Sequence, residues 1–255
     1  MPWWYAVVES RHELQNPTSP EKIRRLGELL GLDRSSRVLD VGGGRGGPAV
    51  LLASELGCHV TLVELSSEFA AVARERARAA GVAELVEVVE SDAKEFAIER
   101  GRYDAALCLG ASFAFDGLVP TVRALKDAVP SRGLIAVGEP YWREWPLPEV
   151  RAPSEGGGRF PQRGRVGEED FLPLAETLDR VESVGVDVVS LLTSSEDDWD
   201  RYESLHWFAL EEWLAANPDD PQAEEFRERG RHERDRYLRR HRTLLGWAIF
   251  VARVP

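Results

Sequence analysis

The run Arg37-Val38-Leu39-Asp40-Val41-Gly42-Gly43-Gly44-Arg45-Gly46-Gly47 limits what this chain can fold into more than any other stretch. A short apolar segment carries a carboxylate near its end and breaks into a glycine cluster. A helix-compatible segment, Ala49-Val50-Leu51-Leu52-Ala53-Ser54-Glu55-Leu56, follows at once. The pattern reads as strand, tight loop, helix. Glycine permits positive φ and a close approach of backbone to a ligand. The N–H groups of a helix start point into the same space.

Glycine spacing alone is compatible with two ligand classes. Gly42, Gly44 and Gly47 fit G-x-G-x-x-G, and Glu64 lies about twenty residues on, where a dinucleotide fold places its ribose carboxylate. Asp40 argues for the other class: close to the ligand it would repel a pyrophosphate and suit a cation. Asp40 through Gly46 resembles the D-x-G-x-G-x-G signature of class I S-adenosylmethionine (SAM) dependent methyltransferases. That donor carries a sulfonium and an ammonium and no phosphate. Arg45 departs from the family, which often has a small or thiol residue between the second and third glycines.

The chain's order is consistent with that resemblance. Strands are expected over 38–41, 60–63, 86–90, 103–109 and 134–138, alternating with helices over 48–56, 67–80 and 118–129. This alternation gives a parallel doubly wound sheet whose ligands lie over the carboxyl ends of the strands. A helix over 168–183, a strand over 184–192, two further helices and a strand over 246–252 complete the chain. The resemblance implies an α/β, Rossmann-like sheet of seven strands, order 3-2-1-4-5-7-6, with the last strand antiparallel. In this reading residues 1–35 are an N-terminal arm and cap helix, 36–140 the cofactor core, 141–167 a lid loop and 168–255 the C-terminal part of one domain.

By the same resemblance Asp40, Gly42, Gly43, Gly44, Gly46, Glu64, Leu65, Asp92, Ala93 and Leu109 hold the cofactor. Glu64 would accept from the ribose hydroxyls and Asp92 from the adenine amino group, with Ala93 on the same edge. Asp92 has a rival role as the cap of a helix over 93–98. The Asn/Asp-Pro-Pro-Tyr motif of base- and amide-nitrogen methylating enzymes is absent, since Cys108-Leu109-Gly110-Ala111 stands in its place. Gly138-Glu139-Pro140-Tyr141-Trp142, Asp200-Arg201-Tyr202-Glu203 and Trp213-Leu214 with Asn217-Pro218-Asp219-Asp220 resemble a narrower bacterial set of undefined substrate.

An acceptor needs a base only if it arrives protonated. Glu139, Tyr141 and His206 are the catalytic candidates, each with hydrogen bonding as the plainer reading. Trp3, Trp4, Tyr141, Trp142 and Trp207 could wall an acceptor pocket, or serve core and lid packing. No His/Cys/Asp cluster has metal-ligand spacing, so no metal is expected. The formal charge of −12 disfavours a nucleic-acid substrate. Cys58 and Cys108 are expected to be buried free thiols. Without a signal-peptide pattern or an apolar run of spanning length, a cytoplasmic protein acting on a small molecule is expected. The oligomeric state is left open. Two alternatives stand beside the methyltransferase: a SAM- or S-adenosylhomocysteine (SAH) binding protein without turnover, and a nicotinamide-dependent oxidoreductase.

Overall fold

The computed structural model describes residues 4–144 and 171–255. One seven-stranded sheet, order β3-β2-β1-β4-β5-β7-β6, organises them. β1 (Arg37–Val41), β2 (His59–Glu64), β3 (Val86–Glu90), β4 (Ala105–Leu109) and β5 (Leu134–Trp142) run parallel. β7 (Leu245–Arg253) enters antiparallel between β5 and β6 (Asp187–Thr193). The expected order and the antiparallel last strand are both present.

Helices cover the two faces. On one face α2 (Pro20–Leu29), α3 (Gly47–Leu56) and α4 (Ser67–Ala79) bury Ile23, Leu26, Leu52 and Ala73 against Leu62, Leu107 and Trp247. On the other, α5 (Leu118–Ala128) and α6 (Leu174–Glu182) bury Val122, Leu125 and Val181 against Leu39, Val137 and Phe250. Central strands covered on both sides read as near-continuous apolar runs. β7 is buried along all but its last residue, whereas edge strand β6 alternates between exposed and half-buried residues.

Local chemistry sets the element ends. Ser19 caps α2 by accepting from the Lys22 N–H, with Pro20 at the first helical position. α7 (Glu196–Ala216) opens with a capping box between Ser195 and Asp198. Its Asp198 pairs with Lys22 and so ties α7 to α2. α8 (Ala223–Arg236) packs on α7 and on the short N-terminal helix α1 (Trp4–Val8) through Phe226, Leu210 and Trp4.

Several expected boundaries move. β5 continues past Gly138 to Trp142 because β7 pairs with it over its whole length, Leu134↔Arg253 to Trp142↔Leu245. β6 starts at Asp187, after a turn that Gly185 closes at φ +73°. Residues 93–98 do not form a helix: Asp92 Oδ1 accepts from the Lys94 N–H at 3.1 Å, a side-chain turn that competes with helix. Asp92 therefore caps a turn. Of the lid expected over 141–167, Tyr141 and Trp142 are instead the end of β5, and residues 145–167, together with Trp3, lie outside the described residues.

At the β5–β7 junction, a Cβ on Gly246 would lie 2.2 Å from the Tyr141 ring. Gly246→Ala is expected to cost about 1–3 kcal/mol as an overpacked core site. A melting temperature equal to that of the unsubstituted protein would contradict this packing.

Candidate active site

The carboxyl ends of β1, β2 and β4 and the turn after β3 open into one cavity of about 500 Å³. Asp40, Gly42, Gly43, Gly44, Glu64 and Leu65 line it, and so do Asp92, Ala93 and Leu109. Of the residues expected to hold the cofactor, only Gly46 is missing. At φ +79°, Gly46 starts α3, and its Cβ would meet the Ala73 Cβ at 2.9 Å. It serves the packing of α3 on α4.

The glycine loop differs in one respect from its sequence reading, because its N–H groups are not free. Those of Gly42 and Gly43 donate to the Val63 carbonyl at 2.8 and 3.3 Å. The Gly44 N–H donates to Glu64 Oε2 at 2.9 Å, and the Arg45 N–H to Gln15 Oε1. The loop N–H groups from Gly42 to Arg45 are therefore engaged within the protein, which counts against a pyrophosphate seated in the loop. Glu64 Oε1 accepts from the Ser66 N–H at 2.8 Å, and the Leu65 backbone also favours the charged carboxylate.

Asp40 is 2% exposed, and its Oδ2 has no hydrogen-bond partner. Burial, with Glu64 nearby, pushes its carboxyl up to about 7. Burial likewise raises Glu64, against the backbone donors from Ser66 and Gly44. An unpartnered buried carboxylate is costly unless a cation or donor arrives. A Cβ on Gly43 would reach Asp40 Oδ2 at 3.0 Å and Leu62 at 2.5 Å, so only glycine keeps this cradle open. The residues present fit a ligand with a positive centre next to a ribose.

A roof lines the cavity from the N-terminal arm, where a cap was expected but its cavity residues were not named. Glu9, Gln15 and Asn16 line the cavity. Asn16 Nδ2 donates to the Leu109 carbonyl at 2.9 Å, and Gln15 Nε2 donates to Glu9. Gly47 lets the roof pass: its Cβ would lie 2.0 Å from the Glu13 carbonyl oxygen. Arg76 of α4 donates to the carbonyls of His12 and Glu13 and pins the same segment. Phe69 and Phe113 supply aromatic surface.

Among the described residues, none of the acceptor-side candidates lines the cavity. Trp4 packs edge-on against Phe226 at 5.2 Å, with the Arg229 guanidinium 4.4 Å over its ring. Trp142 is core, Trp207 packs against Tyr237, and Tyr141 lies buried under Gly246. The aromatic residues thus satisfy packing, the plainer reading. Glu139 is buried in β5 with its Oε1 lacking a hydrogen-bond partner, and burial pushes its carboxyl up to about 7. His206 stands behind the roof, its Nε2 3.8 Å from Glu9 and its Nδ1 3.7 Å from Glu203. Both cysteines are free and buried. Among the described residues no His/Cys/Asp/Glu group could hold a metal ion, and no helix is long and apolar enough to cross a membrane.

Residues 38–131 match the model of the methyltransferase domain family. A SAM-dependent methyltransferase from Thiobacillus denitrificans, solved with SAH, is 35% identical with a TM-score of 0.88 over 100% of this chain and 99% of that one. A SAM-dependent methyltransferase from Geobacter sulfurreducens, also solved with SAH, is 34% identical with a TM-score of 0.87 over 99% of this chain and 98% of that one. The uncharacterized protein YjhP of Escherichia coli is 32% identical over 98% of both chains.

Proposed function

Because the chain belongs to the class I SAM-dependent methyltransferases, we propose that it methylates a small-molecule acceptor by in-line displacement. Its donor is SAM, a methyl group on a sulfonium that is already a strong electrophile, and SAH is the other product. The chain's task is then to hold, orient and dry the reacting groups. Such positioning supplies several kcal/mol of a barrier.

The observation that carries this reading is the unpartnered Asp40 carboxylate buried beside the glycine loop. A cation satisfies it and a phosphate would not. Glu64 offers its carboxylate to the ribose hydroxyls. Asp92, Ala93 and Leu65 form the adenine end, and Leu109 with Asn16 marks the methyl end. The acidic charge and a cavity of about 500 Å³ favour a small acceptor over a nucleic acid. Free buried thiols fit a reducing compartment such as the cytoplasm.

Titration calorimetry with SAM, SAH and NADH tests this reading. The first two are expected to bind and NADH not. Glu64→Ala should lose about tenfold or more in SAM affinity, the scale of one charge-assisted hydrogen-bonding group. Binding of NADH alone, or unchanged SAM affinity in both Glu64→Ala and Asp92→Ala, would overturn the site assignment.

A further inference from the structure

Four acidic residues line the cavity: Glu9 from the roof, Asp40 and Glu64 from the first two strands, and Asp92 after the third. Among the described lining residues there is no Lys, Arg or His. The donor brings two cationic centres and one carboxylate, a net charge of plus one. The reading above uses Asp40 for that cationic charge, Glu64 for the ribose and Asp92 for adenine. The Oδ2 of Asp40 remains unpartnered within the protein, so the cavity calls for positive charge. Glu9 is a further anion, and no part of the donor is assigned to it.

Glu9 is also a built feature. It is 5% exposed on the cavity wall. Tyr202 Oη donates to its Oε1 at 3.4 Å, and Gln15 Nε2 donates to its Oε2. His206 Nε2 stands 3.8 Å from the same Oε1, with Glu203 behind the imidazole. The Tyr202 and His206 rings lie 4.6 Å apart, and His12 packs against both. Tyr202 and Gln15 thus fix both oxygens of the carboxylate on the wall. A buried anion at the wall attracts a cation or N–H donor and repels a carboxylate or phosphate. The faces of Phe69 and Phe113 add to a preference for cations.

Resting on the methyltransferase reading above, we propose that the acceptor is an amine, that Glu9 binds its nitrogen and takes up its proton, and that Tyr202 and His206 position Glu9. A bound ammonium first gives a proton to the Glu9 carboxylate; the freed nitrogen lone pair then forms the new N–C bond while the methyl–sulfur bond breaks with its electron pair left on sulfur. The product leaves as the N-methylammonium, its positive charge taken over from the sulfonium. His206, a base candidate from sequence, thereby becomes a positioning residue one side chain removed from the acceptor.

The test uses the full chain saturated with SAH and three probes on one skeleton: 2-phenylethylamine, 2-phenylethanol and phenylacetate. Calorimetry is expected to give the amine about tenfold tighter binding than the alcohol, the scale of one charge-assisted contact, with phenylacetate weakest. Glu9→Gln should erase the preference for amine over alcohol, and Tyr202→Phe should reduce it. SAH affinity, measured in each variant, reports whether the cofactor site is folded and is expected to change less than about twofold, below the effect of losing one hydrogen bond. Equal binding of amine and alcohol, tighter binding of the acid, or no binding of the amine overturns the proposal. So does a loss of SAH affinity in Glu9→Gln as large as the loss of amine, which would make Glu9 a donor-binding residue. Failure of the unsubstituted protein to bind SAH is a different result and strikes the methyltransferase reading itself.

Discussion

Asp40→Asn is expected to make the ligand-free protein more stable above neutral pH and to weaken SAM binding at the same time. In the folded chain the Asp40 carboxyl rises from 3.8 to about 7. Between those values the folded state keeps a proton that the unfolded chain has released. Stability therefore falls as pH rises through this window, and the loss is complete above the folded value. Asparagine removes that loss, worth up to about 4 kcal/mol for a shift of roughly three units. Glu139, whose carboxyl is likewise pushed up to about 7, and Glu64, also raised, leave a slope of the same sign in the variant. Binding runs the other way. A cationic ligand requires the ionised carboxylate, so the affinity of the unsubstituted protein for SAM should climb as pH rises toward and past 7. Losing one partner of a buried charge contact costs about 2–4 kcal/mol, roughly 30- to 1000-fold in affinity. Chemical denaturation and calorimetry at pH 5.5 and 8, in buffers of different ionisation enthalpy, measure both. A variant that binds SAM like the unsubstituted protein, with the same pH dependence, would remove Asp40 from the site.

Gly42→Ala is expected to abolish measurable SAM binding. Gly42 holds φ at +68°, and its Cβ would sit 2.4 Å from the Ala111 Cβ. Relief requires the loop after β1 or the one after β4 to move, and both line the cavity. The left-handed backbone alone costs a non-glycine residue about 1–2 kcal/mol. Gly81→Ala isolates that part: φ is +72°, yet nothing lies within 4 Å of its Cβ. Both variants should lose similar backbone stability, and only Gly42→Ala should lose the ligand. Equal SAM affinity in the two would mean that the loop yields without cost to the site.

The cavity floor was legible in the sequence because it is local. Asp40, the glycines, Glu64 and Asp92 follow strand ends at fixed offsets, and a parallel sheet brings such ends together. Even there the hydrogen bonding was hidden, since donation by Gly42 and Gly43 to Val63 depends on how β2 pairs beside β1. The roof left no periodic trace. Glu9 and His12 are placed by Tyr202 and His206, close to two hundred positions away. The aromatic residues misled for a related reason. Trp4, Trp142 and Trp207 satisfy packing or a pocket equally well by composition, and only the docking of α1 on α7 and α8 and the length of β5 decide between them. The expected helix over 93–98 lost to a side-chain turn at Asp92.

The antiparallel insertion of β7 has a consequence for how the chain is made. Among the described residues β6 has β7 as its only neighbour in the sheet, and β5 is bordered on that side by β7. On the ribosome β5 and β6 emerge well before residues 245–253. Through the synthesis of α7 and α8, the nine-residue β5 therefore presents an open hydrogen-bonding edge, Leu134 to Trp142, flanked by apolar side chains. Unpaired apolar edges are where nascent chains associate with one another. The strands of the cavity floor can pair early, whereas the sheet closes late, so the hazard for this protein in a cell lies in the interval between those two events.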